Sequence, residues 1–271
     1  MWTSKYAPSK SKDLCVYKKK VDQCRDWICR ASTSSDRVLV LSGPPGCGKT
    51  MTVRVLAKEL GVTVRDIGGD AIGAEEDMSS ERFQRRKIDS EVSTIKKELF
   101  QSMRYKRLGT NVQECEFLLI DSIPHFRDKE EFNQFGEIVR TFANDARSSA
   151  RLILIVTETS PSEHEQESNL RESSRLLRQS GDVNSLIPSD VLNNYRTTHL
   201  KMGAVSNTKM RKALKRIALC ARPKPNESDI EDIVSSANGD VRGVRARSAR
   251  IAAISLFHML QHYITQSIEE Y

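Results

Sequence analysis

The 271-residue chain contains no run of about eighteen apolar residues, so no helical membrane span is expected. Its first residues, MWTSKYAPSKSKDL, lack the apolar centre of a secretory signal, and export is not expected either. There is no CxxC pair. The six cysteines stand apart at 15, 24, 29, 47, 115 and 220, a spacing that argues against a zinc site or a disulfide framework and for thiols in a reducing compartment. No internal repeat is evident. With 38% apolar and 29% charged residues the chain is polar and globular, and it is long enough for two compact domains or one large one. The net charge of +7 fits either plain surface solvation or attraction to a polyanion, and composition leaves both open.

What is present reads as an α/β pattern followed by helices. Val21, Cys24, Trp27 and Ile28 form one apolar helical face after the basic run Lys18-Lys19-Lys20. Arg37-Val-Leu-Val-Leu-Ser42 is nearly all apolar, as a strand buried on both faces of a parallel sheet should be. Lys49 to Leu60 has helical period until Gly61 stops it, and Val62 to Asp66 reads as a second strand. Residues 68–77 read as a loop. A long charged helix follows over Met78 to Arg107, with Ile88, Val92, Ile95 and Leu99 as its apolar stripe; its basic excess fits a solvated helix better than a DNA contact. Glu116 to Asp121 and Arg151 to Thr157 are two more apolar strands. Between them Phe132, Phe135, Ile138, Val139, Phe142 and Ala146 mark an amphipathic helix. Residues 160–185, rich in Ser, Glu, Asn and Gln, are expected to be a mobile surface segment. From Ser206 the pattern is helical over 206–220, 228–237 and 241–264.

The chemistry concentrates in Gly43-Pro44-Pro45-Gly46-Cys47-Gly48-Lys49-Thr50, a full GxxxxGK[ST] match between a buried strand and a helix. Glycines let consecutive N–H groups turn inward around phosphates, and the following helix adds its positive end. Lys49 would reach the β- and γ-phosphates, and the Thr50 hydroxyl would ligate Mg²⁺. Asp121, ending an apolar strand, is the expected second metal residue. Ser122 follows it where many AAA+ ATPases place a Glu that polarises water, and a serine hydroxyl is a poor base near neutral pH. Weak or partner-dependent hydrolysis is the expectation. Glu158, at the end of the next strand, would repel a γ-phosphate. Asn238-Gly-Asp-Val-Arg242 opens the last helix and could carry Arg242 to the γ-phosphate, although an Arg there is more often a surface residue.

Together, Trp2-Thr-Ser-Lys5-Tyr6-Ala-Pro8, the GPPGCGKT loop, Phe117-Leu-Leu-Ile-Asp121-Ser-Ile-Pro124, Leu186-Ile-Pro188 and the GDVR motif resemble the clamp-loader AAA+ ATPases of the replication factor C type. Within them the resemblance is to the Rad-family large subunit of the DNA-damage checkpoint clamp loader. It implies an AAA+ P-loop core with a parallel sheet over residues 1–203 and a small helical lid over 204–271. It also implies that Lys5, Tyr6 and Pro8 border the adenine of ATP, that Gly43 to Thr50 hold its phosphates, that Thr50 and Asp121 hold Mg²⁺, and that Asp121 and Arg242 act in catalysis. The implied partners are small replication factor C subunits, a heterotrimeric ring clamp, and DNA at primer-template junctions through its backbone; the implied location is the nucleus, with no membrane.

Three departures accompany it. Ser122 replaces a second acid. Arg196, in Asn193-Asn194-Tyr195-Arg196, is a poor match for the trans-acting arginine finger of small subunits. The helical collar that holds clamp-loader pentamers together would follow Tyr271. One function hypothesis is therefore an ATP-switched clamp-loader subunit, with Arg140 and Arg147 as DNA-backbone candidates that read better as a plain solvated face. The other is a non-hydrolysing, nucleotide-bound scaffold. A small-molecule P-loop kinase and an origin-licensing AAA+ ATPase explain fewer of the motifs.

Overall fold

Strand β1 (Val38–Gly43) is buried at every position, and the reason lies in the alternation of its side chains between two apolar layers. The computed structural model describes residues 7–30, 34–68, 91–104, 116–124, 126, 128–145, 149–158, 183–220 and 227–235. In them β1 joins β2 (Val64–Asp66), β3 (Phe117–Ile120), β4 (Arg151–Thr157) and β5 (Thr197–Lys201) in a parallel sheet of order β2-β3-β4-β1-β5. The register pairs Gly43 with Thr157 and Ile120 with Leu154, so the ends of β1 and β3 stand on either side of β4.

One face of the sheet presents Leu39, Leu41, Leu119, Ile153 and Ile155 to α1 (Lys18–Cys29), α2 (Lys49–Leu60), α7 (Asn207–Cys220) and α8 (Glu227–Ser235). The other presents Val38, Val40, Leu118, Ile120, Leu152 and Leu154 to α3 (Glu91–Arg104) and α4 (Lys129–Asn144). Most of these side chains are fully buried, and truncating one such leucine costs about 2–5 kcal/mol. Two single-turn helices, α5 (Val183–Leu186) and α6 (Ser189–Leu192), lead into β5, and they and the link between them add Val183, Ile187 and Val191 to the second layer.

Local sequence explains several element ends. Gly61 terminates α2 in the left-handed conformation at φ 69°. Asp128 caps α4, its carboxylate accepting the Glu131 N–H at 2.8 Å, with Glu130 and Glu131 suiting the positive end of the helix. The apolar face read for α1 is the buried one, and α2 has the expected bounds. The long helix expected over 78–107 is described as α3 from Glu91, with Val92, Ile95 and Leu99 buried; Ile88 lies outside the described residues.

Two outcomes differ from expectation. The segment expected to be mobile as far as residue 185 contains the start of α5 at Val183, because Val183 and Ile187 have apolar partners in the second layer. Strand β5 had no sequence signal. Its TTHLK is polar, and Leu200 alone of its residues is buried, since it is an edge strand with β1 as its sheet neighbour. Among the described residues, no helix is long and apolar enough to cross a membrane.

Candidate functional site

The sheet order sends the chain from β1 outward to β2 and back, opening a crevice at the C-terminal ends of β1, β4 and β3, where α/β folds bind ligands. Gly43 ends β1 there. Its φ is +148°, and a Cβ at this position would lie 2.2 Å from the Met202 carbonyl oxygen. Glycine is thus demanded twice, by the phosphate loop and by the backbone leaving β5. Gly48, at φ +96°, turns the loop into α2 and would place a Cβ 3.0 Å from Val16 of the N-terminal segment.

Lys49 is buried at 5% exposure, and its ammonium donates to the carbonyls of Gly43 and Pro44, both at 2.8 Å. A phosphate arriving in the loop would offer it a charged acceptor in place of neutral ones, a stronger hydrogen bond. Cys47 lies inside the loop with its Sγ 3.8 Å from Lys49 Nζ. Burial pushes its thiol pKa up while Lys49 opposes the shift, so it fills space as a thiol.

Thr50 and Asp121, 71 residues apart, meet: the Thr50 hydroxyl donates to Asp121 Oδ1 at 2.5 Å. This joins the first turn of α2 to the residue after β3. A half-buried hydroxyl and an exposed carboxylate are the hard oxygen donors Mg²⁺ takes, so the pair fits that ion. Ser122 is also exposed beside it.

Thr157 stands level with the start of the loop, with no motif in the sequence to mark it. It is exposed at the end of β4, in register with Gly43, and continues the alternation of Ile153 and Ile155, the side on which α2 lies. A polar residue ending an apolar strand directly before Glu158 was the available signal. Glu158 itself donates its N–H to the Gly43 carbonyl at 2.9 Å and pairs with Lys201 at 3.2 Å; its other oxygen is buried with no hydrogen-bond donor among the described residues. Its charge is thus turned toward β5. Beside it, His199 Nε2 meets Ser42 Oγ at 2.8 Å. Partial desolvation of its ring holds the His199 pKa below its usual value; Glu158 opposes the shift, and Lys201 and Lys20 add to it.

The N-terminal segment lies between α2 and α7. The Ser11 amide donates to Glu59 at 2.5 Å, as does Arg25 at the same distance, and together they hold the Glu59 carboxyl below its ordinary pKa. From the other side Lys209 donates to the Val16 carbonyl at 3.0 Å, and Arg216 pairs with Asp13. Pro8 is buried in this region. Lys5, Tyr6, Arg147 and Arg242 lie outside the described residues. Arg196 donates to the last carbonyls of α4, Ala143 at 3.2 Å and Asn144 at 3.3 Å, which gives the guanidinium a capping role. Arg140 pairs with Asp190.

The family described as the Rad17 P-loop domain matches residues 1–172. The chain belongs to the Rad17 family. Checkpoint protein rad17 of Schizosaccharomyces pombe is 31% identical over an alignment covering 100% of this chain and 43% of that protein. Cell cycle checkpoint protein RAD17 of Homo sapiens is 24% identical, with 89% of this chain and 36% of its own length covered. Replication factor C subunit 1 of Oryza sativa is 22% identical over 100% of this chain and 24% of its own length. This Rad17-family chain thus spans less than half the length of these relatives. Its P-loop and five-stranded parallel sheet are those of an α/β AAA+ core that binds nucleotide.

Proposed function

We propose that the chain is the ATP-binding part of a checkpoint clamp-loader subunit, using ATP as a switch more than as fuel. The observation that carries this reading is the Thr50–Asp121 contact beside the buried Lys49, with Ser122 where a water-polarising acid would stand. In it Gly43, Pro44, Pro45, Gly46, Cys47 and Gly48 wrap the phosphates, and Lys49 exchanges its two carbonyl acceptors for phosphate oxygens. Thr50 and Asp121 hold Mg²⁺, which would neutralise phosphate charge. Thr157 offers a hydroxyl to the γ-phosphate or to a water beside it. Lys5, Tyr6 and Pro8 border the adenine.

The core covers residues 1–203 and the lid 204–271, and Arg242 reports the γ-phosphate to the lid. Closure of lid on core creates the surface for small replication factor C subunits, a ring clamp and primed DNA in the nucleus. The relatives' names support the checkpoint and replication factor C part of this reading.

The test is nucleotide binding and turnover for wild type, Lys49→Ala and Ser122→Glu, with and without primed DNA and small subunits. Binding lost in Lys49→Ala, with wild-type turnover well below about 1 s⁻¹ and rising in Ser122→Glu, is expected. Brisk turnover unaffected by Ser122→Glu would place the base elsewhere. The second reading, a nucleotide-bound scaffold, is favoured by Ser122, and turnover that stays absent with all partners present would select it.

A further inference from the structure

Two exposed helical surfaces offer themselves to a polyanion, and their charges differ. The outer face of α4 carries Glu130, Asn133, Gln134 and Glu137, and its Arg140 is held by Asp190. That face suits no phosphate backbone. The first turn of α1 carries Lys18, Lys19 and Lys20 in succession, the first two exposed and the third half-buried, with no acid in the turn and no side-chain cap. Cations are disfavoured at this end of a helix, where the N–H dipoles already concentrate positive charge. Among the described residues none of the three lysines has an ion-pair partner. Asp22 lies one turn on along the helix, while Asp13 is taken by Arg216 and Glu158 by Lys201.

The ridge extends beyond the helix. Lys209 of α7 stands 3.8 Å from the centre of the Tyr17 ring while donating to the Val16 carbonyl. Toward β5 the positive charge is offset, since Lys201 there is paired with Glu158 at 3.2 Å. Tyr17 is 47% exposed, one of two large exposed apolar side chains among the described residues. An aromatic ring within a row of lysines favours nucleic acid over an acidic peptide, because bases stack where carboxylates cannot.

We propose that Tyr17, Lys18, Lys19 and Lys20, with Lys209 behind the ring, form a contact ridge for single-stranded nucleic acid, the lysines taking phosphates and the Tyr17 ring a base. The ridge deepens the DNA part of the reading above by placing the contact on α1 and not on α4. It is sequence-tolerant, since phosphates and ring faces are common to every nucleotide.

The test is anisotropy of a fluorescein-labelled oligo(dT) of about thirty nucleotides, titrated with the whole chain at several salt concentrations. A Lys18→Gln, Lys19→Gln, Lys20→Gln triple variant is expected to bind about tenfold or more weakly. Its salt slope should fall by about 2, since each single-strand phosphate contact contributes about 0.7. The corresponding Arg triple variant should keep both affinity and slope. Tyr17→Ala should weaken binding several-fold with the slope unchanged, and Arg140→Gln should have no effect. A Gln triple variant that binds like wild type overturns the ridge. So does an Arg140→Gln loss equal to it, or polyglutamate competing as well as unlabelled oligonucleotide. A fluorescent ATP analogue on the same samples separates the readings. Nucleotide binding lost in Lys49→Ala while the oligonucleotide stays bound supports both readings, and the Gln triple variant keeping nucleotide shows that its fold is intact.

Discussion

The phosphate loop and the contact between the N-terminal segment and α7 flank the same helix, α2, yet they are built in opposite ways. The loop is eight consecutive residues, Gly43 to Thr50, with a lysine buried on its own carbonyls. The other contact joins residues 193 and 203 positions apart, Val16 to Lys209 and Asp13 to Arg216, by one half-buried and one exposed basic side chain. A cradle needs successive backbone N–H groups pointing one way, which neighbouring residues alone can supply, so it is written as a motif. A tie between the two ends of a chain needs complementary groups brought together by packing and leaves no motif. The loop should therefore be intolerant of change and the tie tolerant, and that difference can be broken or sharpened at four places.

The largest effect is expected at Gly43. Gly43→Ala would drive a methyl group against the Met202 carbonyl at a strained φ, costing about 3 kcal/mol or more, whereas Gly61→Ala has no atom within 4 Å and should cost only about 1 kcal/mol. Urea unfolding of the two variants compares them, and equal midpoints would show that β5 yields to Gly43. Next comes Asp121→Asn. The amide oxygen can still accept from Thr50, so stability should hold, but Mg²⁺ should no longer strengthen nucleotide binding, with a loss of about tenfold or more at saturating Mg²⁺. Calorimetric titration with and without the ion reads this directly.

Smaller still is the tie. Arg216→Gln removes a partly exposed ion pair and should cost under about 1 kcal/mol, an effect that shrinks in high salt. Hydrogen exchange in α7 faster by orders of magnitude would instead mark Asp13–Arg216 as the main anchor of the helix. The smallest effect is expected from His199. Its pKa is depressed in the folded chain, so folding favours the neutral ring: that stability is present above the ordinary pKa near 6.5 and is lost as pH falls toward the folded value. His199→Asn, which can still meet Ser42, should flatten the fall between pH 6.5 and 5 in denaturant titrations.

Much of the layout was legible because buried parallel strands and amphipathic helices carry their periods in the chain itself. Arg151 to Thr157, the α2 bounds and the buried quartet of α1 follow from that. The loop was legible for the same local reason. Strand β5 was not, because an edge strand with one buried residue has no apolar run to display. Thr157 was not, because its place depends on β4 entering between β1 and β3, which no pattern within β4 announces.

By itself, then, the amino-acid sequence determined a phosphate-binding turn, its flanking strand and helix, and the faces those elements bury, since each depends on residues a few positions apart. The tertiary structure alone decided that Asp121 reaches Thr50, that Glu158 turns to Lys201, that Met202 demands Gly43, and that α1 carries the open positive charge while Arg140 on α4 is paired. Each of these needs two or more distant segments to arrive at one point, and strand order and packing set that meeting.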